Sequence, residues 1–227
     1  MIAYEHPRGS GHGYSCASSI VHSPPACVKT MAPVIFDSLR KYILSSEGMS
    51  EEEFELIRGL MIPKRLRRRQ YLLQAGDVCT TLAFVSKGCL RLYDLDDFGR
   101  ERILLFAIEG HWITDVESWR ARKPATRNID ALEDSELLLI DNPALDKLTV
   151  SAPKWDRYFK GILEDAFKAA IVRISDFVGA SAEERYLRFL STSPELSQRI
   201  PLHQIASYLG ITPQSLSRIR RELAERK

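Results

Sequence analysis

The sequence is short of the residues that carry metal and redox chemistry. Its four cysteines, Cys16, Cys27, Cys79 and Cys89, stand in no C-x-x-C spacing, which argues against a disulfide scaffold, a zinc ribbon and a dithiol centre. Histidine is scarce too: His6, His12 and His22 precede any patterned segment, His203 lies near the C-terminus, and His111 alone falls in the strand-rich middle. A cupin-type metal enzyme needs clustered His and carboxylate ligands, so that chemistry finds no support. No Ser/His/Asp or Cys/His set and no phosphate-gripping glycine loop stands out, and no catalytic residue is expected. Long apolar runs are missing, with nothing near the ~18 residues of a transmembrane helix. Residues 1–30 hold no apolar stretch of roughly 7–15 residues to serve as a secretory signal, so a cytoplasmic location and no membrane partner are expected. Charge of one sign is also wanting, since 32 Lys+Arg nearly balance 30 Asp+Glu for a net +2.

What is present is a globular composition in a definite order. Of 227 residues, 44% are hydrophobic, and at roughly 100–200 residues per domain the length allows one large or two smaller domains. Residues 1–32, rich in Gly, Ser, Pro and His, read as a flexible leader, and Met31 opens a segment of different character. Ile35, Leu39 and Ile43 recur at every fourth position, an amphipathic helix. Ser50 with Glu53 is a capping box before a helix carrying Phe54, Ile57 and Leu60. From Pro63 to about Asp141 short apolar segments (71–74, 82–85, 89–95, 102–108, 136–140) alternate with turns, and Gly76, Gly88, Gly99 and Gly110 keep the rhythm of an all-β barrel or roll. After Asn142-Pro143 helical spacing resumes. Trp155, Phe159, Ile162, Ala166, Ala169, Arg173 and Phe177 form one long seam, either intramolecular core or one side of a helix-to-helix dimer, whose length favours the dimer. Ser181 with Glu184 opens a further helix that Pro194 closes. The expected fold class is α+β: an effector roll over 33–150, a long dimerisation helix over 151–180 and a C-terminal winged helix-turn-helix over 181–227.

The C-terminal segment is the most specific signal. Leu202–Leu209 reads as a short helix with Ile205, Ala206 and Leu209 inward, Gly210 permits the tight turn, and Thr212-Pro213 starts a second helix as N-cap and first residue. The small Ala206 lets that second helix cross closely, which is the helix-turn-helix arrangement. At about 100° per residue, Leu216, Ile219 and Leu223 point to the core, while Ser217, Arg218, Arg221 and Glu225 cluster around Gln214 on the opposite side. Gln pairs bidentately with adenine and Arg with guanine, so this face suits the major groove, with Arg220 and Arg226 placed for phosphates. From Arg199 to Lys227 six Lys/Arg stand against two Glu, a local +4, which leaves the rest of the chain at −2.

A roll, a long helix and a helix-turn-helix in this order resemble the Crp/Fnr family of bacterial transcription regulators. The resemblance covers about Val34 to Lys227, and the motif over Ile200–Leu223 resembles the branch found in Bacteroidetes-type bacteria. It implies a homodimer joined through the long helix, binding a pseudo-palindromic operator in double-stranded DNA, with RNA polymerase as a possible further partner. It also implies that Gln214 and Arg218 contact bases, with Thr212, Ser217, Arg220 and Arg221 around them. Pro213 replaces a polar residue that many relatives use, so the operator is expected to differ from the best-known consensus. The alternative is a sensory or adaptor module of the same roll that binds a small ligand or a protein without reading DNA.

Rolls that bind cyclic nucleotides carry a Gly-Glu pair and, about a dozen residues on, an Arg-Ser-Ala triplet whose Arg pairs with the buried phosphate. Here Thr114-Asp115 stands for the pair and Ala125-Thr126-Arg127 for the triplet, with Ala125 in the place of the key Arg. Arg127 reaches the opposite pocket wall only if the strand register slips. Cyclic AMP is therefore expected not to bind in the usual way, and no cofactor is expected. A pocket for another effector would involve Trp112, Thr114, Asp115, Thr126 and Arg127, with His111, Glu117 and Trp119 nearby; alternatively, Trp112 and Trp119 simply pack the vacated space. No four-thiolate iron–sulfur site can be drawn, and Cys79 and Cys89 read as packing residues. The run Lys64-Arg65-Leu66-Arg67-Arg68-Arg69 reads as a solvated strand edge guarded by charge, with a phosphate-contacting patch as the sharper alternative. Asp94, Asp96, Asp97 and Gly99 lack the Glu that would complete a calcium loop.

Overall fold

The computed structural model describes residues 32–46 and 48–226. The leader expected over 1–32, with Cys16 and Cys27, thus lies outside the described residues apart from Ala32. Helix α1 (Ala32–Ser46) buries Ile35, Leu39 and Ile43, the periodic positions. Helix α2 (Glu51–Leu60) opens on a complete capping box: the Ser50 hydroxyl accepts from the Glu53 amide at 3.3 Å, and the Glu53 carboxylate accepts from the Ser50 amide at 2.8 Å. Two amides left bare by the helix start are satisfied in this way.

Eight strands follow: β1 (Ile62–Leu66), β2 (Tyr71–Leu73), β3 (Thr81–Lys87), β4 (Leu90–Leu95), β5 (Glu101–Ala107), β6 (Trp112–Ile113), β7 (Asn128–Ala131) and β8 (Ser135–Asp141), with helix α3 (Val116–Ala121) between β6 and β7. They form two four-stranded antiparallel sheets, ordered β1-β8-β3-β6 and β2-β7-β4-β5. The β3–β4 turn depends on its glycine. Gly88 has φ +105°, and a Cβ there would overlap Ser135. Phe84, Val85, Leu90, Ile129, Leu137, Leu138 and Ile140, drawn from both sheets, make one core that α1 and α2 help to cover. A buried Arg91 ties three strands together, donating to Asp130 on β7 at 2.7 Å and to Glu101 on β5 at 3.0 Å.

Helix α4 (Asn142–Ser151) is capped by Asp141, which accepts from the Ala144 amide at 2.8 Å. Then come α5 (Pro153–Gly179), α6 (Ala182–Thr192), α7 (Leu196–Arg199), α8 (Leu202–Leu209) and α9 (Pro213–Glu225). No wing appears among the described residues. No strand follows β8, and α7 occupies the connection between α6 and α8. Among the described residues no helix is long and apolar enough to cross a membrane.

The long helix uses its expected seam differently along its length. Trp155 is buried, with Phe159 and Ile162 packed against the roll core, whereas Arg173 and Phe177 turn toward the C-terminal helices. The seam is thus buried at its start, while at its end Phe177 leans on the C-terminal helices and stays 44% exposed. Most of the large apolar residues left bare lie about 100° further round the helix: Leu163, Phe167, Ile171, Ile174 and Val178, with Phe167 67% and Val178 86% exposed.

A second core joins roll to C-terminus. Cys89, Tyr93, Ile103 and Phe106 from β4, β5 and the residue before β4 pack with Tyr186, Phe189, Ile205, Ala206, Leu209, Leu216 and Ile219 from α6, α8 and α9. Neither Cys79 nor Cys89 is in a disulfide, and both are buried. Burial pushes the Cys89 thiol up to about 12.

Candidate nucleic-acid interface

Helix α9 is built from its cap upward. Gly210 takes φ +66°, ψ +35°, and the Ile211 amide donates back to the Ala206 carbonyl at 3.0 Å, closing α8. Thr212 then caps α9, its hydroxyl accepting from the Ser215 amide at 3.1 Å, and Pro213 occupies the first turn. Leu216 and Ile219 are buried against α6 and α8, with Leu223 packed behind them. This anchoring turns the other face outward. Gln214, Ser217, Arg218 and Arg221 are exposed and, with Pro213, line one shallow depression along α9. The two expected base contacts, Gln214 and Arg218, thus share one exposed face with Ser217 and Arg221.

The charges on this face differ in how they are held. Arg218 donates to Glu222 one turn on at 3.2 Å, an exposed pair of small energetic weight. Arg220 and Arg221 have no ion pair among the described residues, whereas Arg226 is paired with Glu183 at the start of α6. The helix N-terminus beneath Gln214 adds the positive end of the dipole.

The candidate effector residues are only partly brought together. Asp115, buried, caps α3 and accepts from Arg127 at 3.0 Å; Arg127 also reaches Glu117 at 3.4 Å. Thr114 is buried beside Cys79, its hydroxyl 3.2 Å from the Cys79 sulfur and donating to the Thr81 carbonyl at 3.1 Å. Thr126 is exposed. Trp112 does not join them. Its ring packs on Phe84 and Trp155, and its Nε1 donates to the Tyr158 hydroxyl at 3.3 Å on α5. Trp119 is buried. A cleft beside these residues, lined by Leu72, Leu73, Val78, Cys79, Thr80, Thr81 and Ile129, has only about 50 Å³, against roughly 300 Å³ for the smallest usual ligand pockets.

Several residues with structural leverage escape sequence reading. Arg199 donates to Glu109 at 2.9 Å and pairs with Glu133, pinning the end of α7 to the roll. Burial pushes Glu109 up, but Arg199 and the Gly88 amide outweigh it and hold the carboxyl below its usual range. The Ser207 hydroxyl donates to the Glu101 carbonyl at 2.8 Å and accepts from the Ile103 amide at 3.1 Å. Arg173 donates to carbonyls of β5 and α8. Only Arg173 left a signal in the sequence, as a charge within an otherwise apolar seam.

Residues 63–151 match the cyclic nucleotide-binding domain family. The chain is 23% identical over 183 residues to the anaerobic regulatory protein of Pasteurella multocida, spanning 75% of this chain and 66% of that protein. It is 25% identical over 183 residues to the fumarate and nitrate reduction regulatory protein of Vibrio cholerae, spanning 75% of this chain and 72% of that one. A Crp/Fnr-family regulator of Eubacterium rectale shares the fold, with a TM-score of 0.61 at 20% identity over 82% of this chain and 88% of that one. The chain carries a cyclic nucleotide-binding domain and has the fold of that regulator. Where a phosphate cassette was expected, Asp115 pairs with Arg127 and Ala125 is buried.

Proposed function

We propose that this chain is a DNA-binding transcription regulator of the Crp/Fnr type that reads a pseudo-palindromic operator as a homodimer. The observation that carries the reading is the outward face of α9, where Gln214, Ser217, Arg218 and Arg221 stand exposed at the start of a helix anchored from behind. Gln214 and Arg218 take the base edges, adenine and guanine being their natural partners. Ser217 and Arg221 flank them, and Thr212 and Arg220 serve the phosphates. The homodimer forms through the bare stripe of α5, since exposed aromatic and branched residues at helical spacing call for a partner helix. Functionally the chain divides into the roll to residue 150, the long helix to 180 and the reading unit beyond. The Bacteroidetes-type branch rests on the C-terminal motif alone.

Relatives that carry the names of regulatory proteins support this assignment, and no enzymatic activity is assigned. Such a regulator works in the cytoplasm and acts through RNA polymerase. Cyclic AMP does not bind in the usual way, because Arg127 is engaged by Asp115 and Ala125 offers no charge. The test is selection of bound DNA from a random pool at fixed salt near ~0.15 M, since phosphate contacts make affinity salt-dependent. The expected product is an inverted repeat with half-sites about 34 Å apart, one turn of DNA. A pool without enrichment overturns the reading.

A further inference from the structure

The long helix α5 and the reading unit meet at a two-residue joint. Ala180 and Ser181 are both extended, at φ −96°, ψ 143° and φ −64°, ψ 163°. Two extended residues between helices make a natural hinge, since a small change in their dihedrals swings everything beyond. Here the joint is bridged repeatedly. Arg173 donates to the carbonyls of Leu104 and Ile103 on β5, the latter at 3.1 Å, and to that of Tyr208 on α8 at 3.2 Å. Its guanidinium lies 4.2 Å from the centre of the Tyr208 ring. Phe177, one turn further along α5, is flanked by Arg173 at 5.5 Å and Arg185 at 5.4 Å. It lies so close to Gly210 that a Cβ there would overlap its ring. Arg185 on α6 donates to the Leu209 carbonyl at 3.1 Å and back to the Ala180 carbonyl at 2.8 Å. Asp176 and Arg188 pair across the joint at 3.0 Å.

No carboxylate compensates Arg173 in these contacts. A guanidinium taken out of water without a counter-charge is costly, and burial lowers the Arg173 pKa. Its compensation comes from backbone carbonyls, among them Tyr208 at the C-terminal end of α8, where the helix dipole is negative. Those carbonyls converge only while α5, β5 and α8 keep this arrangement. If the C-terminal helices swing away from α5, Arg173 loses the Tyr208 carbonyl and ring and keeps only the carbonyls of β5.

We propose that the Arg173–Phe177–Arg185 stack locks this joint and makes the tight turn before α9 move as one body with α5 and β5. Arg173 is then a positioning residue for the reading helix: it touches no DNA but fixes where α9 points relative to the dimer. The consequence for DNA affinity rests on the function proposed above, whereas the lock itself is measurable without DNA.

The experiment is hydrogen exchange by mass spectrometry on the full chain and on Arg173→Met and Arg173→Lys. Arg173→Met keeps the length of the side chain and removes every donor. Exchange over residues 202–213 is expected to rise at least about tenfold, with residues 35–43 and the sedimentation behaviour of the dimer unchanged. Arg173→Lys, which keeps the charge but loses the planar fork, falls between. On the selected operator, Arg173→Met is expected to bind at least about tenfold more weakly. Unchanged exchange over 202–213 overturns the proposal. If Arg173→Met unfolds throughout, Phe177→Leu carries the same expectation, and wild-type exchange there overturns it equally. Should the wild-type chain select no DNA, the DNA reading fails while the exchange result still decides the lock.

Discussion

Arg218 and Arg220 sit two residues apart on α9 and are expected to behave differently. Arg218, on the Gln214 face, gives up only an exposed pair with Glu222 to reach a base. Arg218→Ala is therefore expected to cost about 1–3 kcal/mol on the selected operator and to relax preference at one position, whereas Arg220→Ala weakens all sequences alike and lowers the salt slope by about 1. Titrations of both variants at several salt concentrations check this, and unchanged affinity removes Arg218 from the readout. Cys89 shows what burial does to a thiol. Its pKa is pushed up to about 12 by loss of solvent, against an ordinary 9.0. Between those values the unfolded chain releases the proton and the folded chain keeps it, so Cys89 draws stability down as pH rises through that window, by up to about 1.4 kcal/mol per unit. Urea unfolding at pH ~8.5 and ~10.5 is expected to show a smaller alkaline loss in Cys89→Ala. Equal losses in the two proteins would clear Cys89 of that role.

Elements show where local propensity needs a neighbour. The α8–α9 turn requires φ +66° at Gly210, and Phe177 fills the space where a Cβ would go. Gly210→Ala meets both penalties and is expected to destabilise the chain by about 1–3 kcal/mol, read as a lower midpoint in urea. An unchanged midpoint would mean that the turn tolerates a side chain and that the Phe177 contact yields easily. The stripe on α5 poses the converse problem, an apolar face that nothing among the described residues covers. Phe167→Glu is expected to weaken self-association roughly a hundredfold, since a charge replaces a ring that the partner would bury. Sedimentation equilibrium reads this directly, and a dimer as tight as wild type would move the interface elsewhere.

At the scale of the molecule, roll and reading unit share a core rather than merely a linker. Tyr93, Ile103 and Phe106 are buried with Phe189, Ile205 and Leu209, and Arg199 fastens the rim to Glu109 and Glu133. Strand β5 therefore serves the sheet on one side and the reading unit on the other. In the same roll Asp115 holds Arg127 in an ion pair. Isothermal titration with cyclic AMP is accordingly expected to give no binding heat in the micromolar range; micromolar binding would show that Asp115 releases Arg127 to a phosphate.

Much of this was legible in the residues themselves. Ser50-x-x-Glu53, Ser181-x-x-Glu184, Gly210 and Thr212-Pro213 define helix ends through their own backbone chemistry, and the period of Leu216, Ile219 and Leu223 determines which face of α9 is left for Gln214 and Arg218. Those are local constraints, decided within a turn of chain. The short strands β6 and β7 were not legible, because two to four residues carry too little pattern and gain their pairing only from β3 and β4. The partner of Arg127 and the side to which Trp112 turns likewise depend on which strands come together. The same holds for the long seam: its period foretold a helix with a sticky face, but only the placement of the roll and the C-terminal helices decided that Trp155 is buried and Phe177 leans on Gly210 while Phe167 and Val178 are left bare. Periodicity fixes which residues share a face; which face meets which neighbour is a long-range contact, and only the folded chain makes it.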